Sequence, residues 1–451
     1  MRSLSQRFDE LPLTREHWRI VFLSGLGWMF DAMDVGLVAF VLVGLGRDWD
    51  LSRTQLGLVA SAGFLGMFVG ALVAGRLADR YGRRTVFLAN LLLYSGGTLL
   101  SALAWNYPSL LVFRFLTGIG LGGELPVAAA LVSEFAPARA RGRLLVILES
   151  FWAYGWTLAA VIGLVIVPQL PEWGWRVAFF IGALPALSVA YLRRRLPESP
   201  RYLDLIGRHD EALAVLRTFE RAAGLPFADV TFTPSPQRPS FIEQFRAIWS
   251  RRLVRRTLML WILWFGIVFA YYGVFTWLPA LLVERGLTVA RSFSYVFVTT
   301  LAQIPGYFSA AYLVDRWGRK ATLVIYLIGS ALSAWLLGNA GTAPVLVLWG
   351  CLLSFFNLGA WGVVYTYTPE LYPTPLRGFG SGAAASFGRL AGILAPYLTP
   401  WLLTTGGLSQ PAVFALFMAV FVLIAVDVLL LGEETRGRPL EHAVPVTGGA
   451  R

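Results

Sequence analysis

The hexapeptide Asp79–Arg84, DRYGRR, recurs as Asp315–Lys320, DRWGRK, at a displacement of 236 residues. Further features share this displacement without a gap: Glu134 and Glu370, Pro137 and Pro373, Arg141-Gly142 and Arg377-Gly378, and Glu198 and Glu434. Separated matches in one register are not explained by chance. The chain is therefore a duplication of one unit, and both copies run in the same direction.

The residues around these motifs are too apolar for a soluble protein. Of the 451 residues, 57% are hydrophobic and 14% are charged, whereas a soluble domain averages about 45–50% and about 25%. Apolar runs long enough to cross a bilayer predict twelve spans, at 20–45, 55–75, 85–105, 109–133, 144–167, 177–192, 257–283, 292–314, 321–340, 343–368, 379–404 and 411–431. The sequence thus predicts an all-α polytopic membrane protein. It excludes a soluble enzyme, a disordered tail protein and, with one cysteine, a disulfide scaffold.

The basic residues predict the orientation of the spans. With the N-terminus in the cytoplasm, 31 of the 38 Lys and Arg residues fall on the cytoplasmic side and five on the outer side. Cytoplasmic loops of membrane proteins carry such an excess, so both termini are predicted to be cytoplasmic. The net charge of +12 then marks loops and indicates no nucleic-acid partner. Met1–Arg19 lacks the pattern of a cleaved signal peptide.

The repeat predicts two six-helix bundles related by a pseudo-two-fold axis. The N-terminal bundle covers residues 1–192 and the C-terminal bundle 257–431, with a cytoplasmic loop at 193–256 and a tail at 432–451. The loop is predicted to contain short helices at Pro200–Ala223 and Ser240–Trp249, which either brace the two halves or form a regulatory binding site. Repeats of this kind occur in transporters that alternate access to a substrate at the midplane.

The repeated charges predict a conformational latch at the cytoplasmic ends of the helices, where acidic and basic side chains pair in one state and separate in another. The alternative is topogenic charge with a tight glycine turn. The predicted latch residues are Asp79, Arg80, Gly82, Arg83, Glu134 and Arg141 in the first copy, and Asp315, Arg316, Gly318, Arg319, Glu370 and Arg377 in the second.

The motif Gly75–Arg84, GRLADRYGRR, resembles the signature loop of the major facilitator superfamily, and the resemblance covers the whole chain. Pro197–Arg201 and Glu434–Gly437 resemble the motifs that end each half in its sugar-porter and organic-ion-transporter branch. Gly27–Gly36 and Gly122–Val127 are similar to bacterial niacin-transporter-type members. The resemblance implies a secondary active transporter with twelve helices.

Ionisable residues within a span are costly and are candidates for function. Asp31 and Asp34 share one face of the first span, and Arg114 of the fourth span is predicted at nearly the depth of Asp34. Protonation of the acid would release the arginine, so the pair predicts a proton switch, with a static salt bridge as the alternative. The segment beginning at Arg114 resembles the fourth-helix arginine of proton-coupled members; which aspartate pairs with it is open. Glu124 and Glu149 form either a second proton station or simple hydrogen bonds to Trp and Ser neighbours.

Arg389 is predicted at the midplane of the eleventh span, where a substrate carboxylate would bind its guanidinium in a bidentate manner. The alternative is an arginine satisfied by carbonyls and the Asn357 amide. The segment Gly388–Pro396 resembles the eleventh span of organic-anion transporters, which implies an anionic substrate. Aromatic side chains suited to stacking on a ring complete the predicted substrate site: Trp152, Trp156, Trp264, Tyr271, Tyr272, Trp361 and Tyr365, with Asn357.

Together, the residues and the resemblance predict a monomeric, proton-coupled importer of a small organic anion in a bacterial inner membrane, most specifically an aromatic monocarboxylate such as nicotinate. The alternatives are a sugar or other metabolite symporter, a drug–proton antiporter and a non-transporting membrane sensor. No metal or cofactor is expected, because His17, His209 and His442 lie outside the spans. An enzyme is not expected, because no nucleophile–base pair is evident.

Overall fold

The structure, a computed structural model, describes residues 2–137, 139–170, 172–232, 240–284, 286–373 and 376–436, without the side chains of Arg2, Arg76, Asp79, Leu125, Pro126 and Arg193. It divides into two units that interleave along the chain. Unit 1 comprises Met1–Val35, Leu65–Trp156 and Arg176–Arg238, and unit 2 comprises Gly36–Phe64, Thr157–Trp175 and Pro239–Arg451. The division of the repeat at residues 192, 256 and 431 stays a prediction.

The first half of the chain is helical apart from one short parallel strand pair, β1 (Arg2–Ser3) with β2 (Val230–Thr231). A 3-10 helix, Leu184–Ser188, joins α7 to α8. The helices are α1 (Leu4–Glu10), α2 (Arg15–Asp48), α3 (Arg53–Tyr81), α4 (Arg83–Ala102), α5 (Tyr107–Phe135), α6 (Arg141–Ile166), α7 (Gly174–Ala183), α8 (Val189–Arg195), α9 (Pro200–Leu205) and α10 (His209–Ala222).

The second half is also helical. Its helices are α11 (Phe241–Ile248), α12 (Val254–Phe275), α13 (Leu278–Glu284), α14 (Val289–Leu301), α15 (Gln303–Trp317), α16 (Arg319–Gly338), α17 (Ala343–Glu370), α18 (Arg377–Thr404) and α19 (Gln410–Leu431).

Every predicted span falls on helix. Within the described residues, ten helices are long and apolar enough to cross a membrane. The predicted eighth span is divided at Ala302 into α14 and α15, each too short by itself. The predicted eleventh span is the continuous helix α18, but its glycines, prolines and Arg389 lower its mean hydropathy. Both regions contain helix-breaking residues, Pro305 in α15 and Pro396 and Pro400 in α18, which membrane helices tolerate where neighbouring groups satisfy the backbone.

The central loop contains the predicted short helices, with one difference. The helix predicted over Pro200–Ala223 is divided into α9 and α10, because Gly207 adopts a left-handed backbone at φ 75° that few other residues tolerate. The helix predicted over Ser240–Trp249 is α11, which begins with a capping box between Ser240 and Glu243. The segment between these helices lies partly outside the described residues, at 233–239.

Helix α1, which the sequence did not predict, is anchored in unit 1. Phe8 is fully buried, and its ring contacts those of Phe135 and Phe219 at centroid distances of 6.1 and 5.5 Å. Arg7 donates to the carboxylate of Glu220 over 2.7 Å, and that carboxylate is fully buried. The N-terminal segment is therefore part of the folded unit, because a buried carboxylate is stable only with a partner of this kind.

Glycines set the spacing of the helices that carry the acids of unit 1. A side chain at Gly66, Gly70 or Gly122 would overlap backbone carbonyls of the neighbouring helix, and one at Gly97 would lie 2.6 Å from the Thr117 nitrogen. Small residues allow membrane helices to approach backbone to backbone. These contacts fix the spacing of α3, α4 and α5 in unit 1.

Unit 2 takes the C-terminal part of α2 and the N-terminal part of α3 from the first half of the chain. Ser61 donates to the carbonyl of Ile393 over 2.7 Å, and Arg53 lies 3.1 Å from Glu284. The ring of Phe64 lies 4.3 Å from that of Tyr272. These contacts fasten one end of the first bundle's helices to α12, α13 and α18.

Candidate functional site

A polar node surrounds the repeated hexapeptide in unit 1. The carboxylate of Glu198 accepts the backbone N–H groups of Arg83 and Arg84 over 2.9 and 3.1 Å, at the N-terminus of α4. It occupies the space of a side chain at Gly82, whose φ is 97°. Arg83 donates to Glu134 over 3.2 Å, and Ser199 also donates to Glu134. A carboxylate at a helix N-terminus is stabilised by unpaired N–H groups and the helix dipole.

Unit 2 contains the same node 236 residues later. Glu434 accepts from the N–H groups of Arg319 and Lys320 over 2.9 and 3.1 Å, at the start of α16 and beside Gly318, whose φ is 92°. Arg319 donates to Glu370 over 3.0 Å, and Thr435 donates to Glu370 over 2.5 Å. The duplication is therefore one of side-chain chemistry as well as of sequence.

The remaining predicted latch residues occupy different positions around the nodes. Arg141 binds Asp9 of α1, whereas its counterpart Arg377 donates to the Pro369 carbonyl. The Arg80 carbonyl accepts from Tyr202 over 2.9 Å. Asp315 is 83% exposed and lies 3.6 Å from Arg319, and Arg316 donates to Tyr312 over 2.7 Å. The side chain of Asp79 lies outside the described residues.

The node of unit 2 makes stability depend on pH through Glu434. Burial by itself would raise the pKa of this carboxyl, but N–H groups of Arg436, Arg319, Lys320 and Thr435 donate to it and lower its pKa below the ordinary 4.5. A carboxylate held this way stabilises the folded state above its unfolded pKa. That stabilisation is lost as the pH falls through the lower, folded-state pKa.

We expect Glu434→Gln to lower the thermal unfolding temperature at pH 7, because the neutral amide cannot replace the carboxylate at the start of α16. The difference from wild type should shrink as the pH falls below about 4.5 and through the lower, folded-state pKa, where the wild-type carboxylate also becomes protonated. Unfolding of the detergent-solubilised protein at each pH measures it. Glu172→Gln is the matched control, because Glu172 is exposed. A difference that stays constant over this range would contradict the expectation.

A buried ion pair joins α2 to α5 in unit 1. Arg114 donates to both carboxylate oxygens of Asp34, over 2.9 and 3.4 Å, and Thr98 of α4 donates to the same carboxylate over 2.6 Å. The exposed fractions are 0% for Asp34 and 2% for Arg114, and the guanidinium lies 5.1 Å from the ring of Phe179. The partner of Arg114 is therefore Asp34, which sequence reasoning left open.

The other predicted proton-coupling acids are buried in the same unit. Asp31 is 1% exposed, Glu124 0% and Glu149 5%. Glu124 packs so closely on α2 that a side chain at Gly27 would lie 2.7 Å from one carboxylate oxygen. Neither oxygen of Glu124 has a hydrogen-bond partner among the described residues. Glu149 lies beside the Trp28 indole.

In unit 2, Arg389 lies beside a cluster of aromatic rings. It is half-buried on α18 and interacts electrostatically with Tyr272 of α12. Rings of this cluster contact one another at centroid distances between 4.9 and 5.9 Å: Trp264, Tyr271, Tyr272, Trp361 and Tyr365. Five of the seven aromatic residues predicted for the substrate site therefore form one group near the arginine.

The other two predicted aromatic residues, Trp152 and Trp156, belong to unit 1. Trp152 packs against Trp28 at a centroid distance of 4.8 Å, and Trp156 is 1% exposed. Asp427, the remaining ionisable residue of the spans, is largely buried near the end of α19.

Polar groups without a hydrogen-bond partner among the described residues line α17 and α15. Asn357 is fully buried, and neither its amide oxygen nor its nitrogen has a partner; the Trp361 N–H lacks one as well. Asn357 therefore does not bind Arg389, contrary to the alternative in which its amide satisfies the arginine. At 1.5 Å per residue, Asn357 lies about 21 Å from the N-terminus of α17, and Arg389 lies about 23 Å from the C-terminus of α18.

The match to known families decides the class of protein. The model of the sugar (and other) transporter family matches residues 22–446. The protein is a member of this family, within the major facilitator superfamily. Among similar proteins, the niacin transporter NiaP of Acinetobacter baylyi is 49% identical, over 97% of this chain and 99% of the relative. The putative niacin/nicotinamide transporter NiaP of Bacillus subtilis is 43% identical, over 94% and 98%.

Solved structures show the same fold for this family member. The xylose transporter XylE from E. coli, in a partially occluded inward-open conformation, superposes with a TM-score of 0.78 at 19% identity, covering 94% of this chain and 100% of that one. The fold with twelve membrane helices in two bundles is thereby confirmed, and the transporter is a multi-pass membrane protein.

Sequence reasoning missed some polar residues of this transporter's sites. Gln303 is fully buried, and both of its amide atoms lack a partner among the described residues, as does the Ser354 hydroxyl. Thr299 of α14 packs at Gly350 of α17, and Gly306 of α15 packs at Phe355 of α17, which places Gln303 level with Ser354. The signal was present, because Ser354, Asn357 and Trp361 follow a three- and four-residue spacing that puts them on one helix face.

Proposed function

We propose that this transporter imports nicotinate together with protons across a bacterial inner membrane. The relatives that are 49% and 43% identical over nearly the whole chain are named for niacin and for niacin or nicotinamide. The observation that carries the proposal is the position of Arg389, half-buried at the middle of α18 and beside Tyr272. A planar aromatic acid matches both features.

The substrate carboxylate would bind the Arg389 guanidinium through two parallel hydrogen bonds. The ring would lie among the aromatic side chains of α12 and α17, which favour offset or edge-to-face contact with another ring. The N–H groups of Trp361 and Asn357 lack acceptors among the described residues. One of these two groups would donate to the ring nitrogen.

Proton coupling would use the Asp34–Arg114 pair. A buried pair is stable only while both partners are charged and hydrogen-bonded. A proton on Asp34 removes the attraction and leaves Arg114 with a weaker partner, which favours a rearrangement of α2 against α5. The bond from Thr98 holds the carboxylate in the orientation that meets the guanidinium.

The two nodes would act as the latch of alternating access. Each node joins the start of one helix to two carboxylates from distant parts of the chain. A change of conformation would therefore either break these hydrogen bonds or move all the joined elements together. We further propose that the transporter is a monomer with both termini in the cytoplasm, as the distribution of basic residues predicts.

Uptake into proteoliposomes tests this function. We expect accumulation of labelled nicotinate that rises several-fold with an acidic exterior, and weaker accumulation of benzoate, which lacks the ring nitrogen. Uptake that ignores the pH gradient would exclude proton symport. Absence of nicotinate uptake in liposomes that contain correctly folded protein would exclude the substrate.

Sugars are a second candidate substrate class, which the same experiment can test. Gln303 and Asn357 each offer an amide donor and an acceptor without partners among the described residues, and such pairs also suit sugar hydroxyls. Competition by an excess of xylose measures this alternative. We expect no competition, because a sugar leaves the Arg389 guanidinium without an anion.

A further inference from the structure

Three polar side chains form a stripe along one face of α4 in unit 1. Asn90, Tyr94 and Thr98 are spaced four residues apart, which places them above one another on a helix. Thr98 donates to Asp34. Tyr94 is fully buried, and neither its hydroxyl nor the Asn90 amide nitrogen has a hydrogen-bond partner within the described part of the chain.

The stripe lies near buried acidic residues of α2 and α5. The Tyr94 side chain interacts electrostatically with Asp31, Glu124 and Asp34. A side chain at Gly120 would meet the backbone of Tyr94 at 2.5 Å, and one at Gly123 would meet the Asn90 amide at 2.5 Å. Tyr94 therefore lies beside the α5 segment between Arg114 and Glu124, and Asn90 packs at Gly123, the residue that precedes Glu124.

The charges of this region do not balance when every acid is ionised. Asp31 and Asp34 come from α2, Glu124 from α5 and Glu149 from α6, and all are nine-tenths or more buried. Arg114 is the one buried guanidinium that the described structure places against them. Neither oxygen of Glu124 has a hydrogen-bond partner among the described residues, and a buried carboxylate in that state is far less stable than a neutral carboxylic acid, so Glu124 is suited to accept a proton.

We infer that Tyr94 relays protons between Asp34 and Glu124, which rests on the proposed proton coupling. The Tyr94 hydroxyl oxygen accepts a proton from the Asp34 side as its own O–H proton passes to Glu124. Asp34 is left as a carboxylate that pairs with Arg114, Glu124 becomes a neutral acid, and Tyr94 ends unchanged. The Asn90 amide would donate to Glu124 whenever that group is ionised. Tyr94 is thus a further functional residue, and Glu124 is the inner proton site.

Tyr94→Phe removes the hydroxyl and keeps the ring, so it tests the relay with little change in packing. We expect uptake of labelled nicotinate driven by a pH gradient to fall at least about tenfold. Counterflow, in which external label exchanges with unlabelled nicotinate preloaded at equal pH, should stay within about twofold of wild type, because exchange needs no net movement of protons. Glu124→Gln should behave in the same way.

Tyr326→Phe is the matched control, because Tyr326 is also buried and its hydroxyl bonds Ser309 on the neighbouring helix. Gradient-driven uptake by Tyr94→Phe within twofold of wild type would overturn the relay. Loss of counterflow as well, in both Tyr94→Phe and Glu124→Gln with unchanged thermal unfolding, would also overturn it in favour of a binding role. If wild-type uptake ignores the gradient, the proposed proton coupling fails first.

Discussion

Replacing Arg389 by Ala is expected to reduce nicotinate affinity by at least about 100-fold, measured as the concentration that gives half-maximal counterflow. Hydrogen bonds to charged groups contribute about 1.5–3 kcal/mol each, and a tenfold change in affinity corresponds to about 1.4 kcal/mol. Loss of two such bonds to the carboxylate therefore accounts for this factor. The aromatic cluster of unit 2 would remain, so a weak and anion-independent affinity for the ring should persist.

Arg389→Lys separates geometry from charge. The ammonium keeps the positive charge but loses the planar fork that matches a carboxylate, so we expect only partial recovery of affinity. Arg291→Ala is the matched control, because Arg291 is exposed at the start of α14. Wild-type affinity in Arg389→Ala would remove this residue from the substrate site and leave the carboxylate without a partner in the proposal.

Asp34→Asn is expected to abolish accumulation driven by a pH gradient and to destabilise the protein more than any other single replacement described here. Breaking a buried pair by removing one partner costs about 3–5 kcal/mol, because the other charge stays buried. Arg114 would keep only the amide oxygen and the ring of Phe179 as neighbours. Uptake assays and thermal unfolding of the same preparation measure both effects.

Asp31→Asn is the control that decides between the two aspartates. Asp31 lies three residues from Asp34 and is equally buried, whereas the ion pair that the described residues show for Arg114 is with Asp34. We expect it to keep more of the stability and more of the gradient-driven uptake than Asp34→Asn. Equal loss of both properties in the two variants would contradict the assignment of the switch to the Asp34–Arg114 pair.

In the proposed function, the two polar nodes and the buried Asp34–Arg114 pair have different roles in the transport cycle. Glu198 and Glu434 each bind the start of a helix 115 residues away in sequence, so each node fixes distant elements at once. The Asp34–Arg114 pair lies within one unit and is the group that we propose to respond to a proton. Coupling would arise where a change in the pair shifts α2 and α5, which also carry Gly27 and Glu124.

The sequence by itself determined the fold and the duplicated motif. Three properties can be counted along the chain without knowledge of the structure. They are the apolar runs of span length, the excess of basic residues on one side of the membrane, and the constant displacement between the repeated motifs. The same counting placed Asp34 near Arg114, because depth follows from the rise per residue. It also marked Glu198 and Glu434 as equivalent, without indicating what they bind.

Only the tertiary structure decided which polar groups pair. The carboxylate of Glu198 accepts the backbone N–H of Arg83. The ion pair of Arg114 is with Asp34. The Asn357 amide makes no hydrogen bond to Arg389. Such choices depend on the rotation and spacing of helices, here set by glycines such as Gly66 and Gly97, and these vary by a few ångströms without changing the pattern of apolar residues. A hydrogen bond is made or lost within that range.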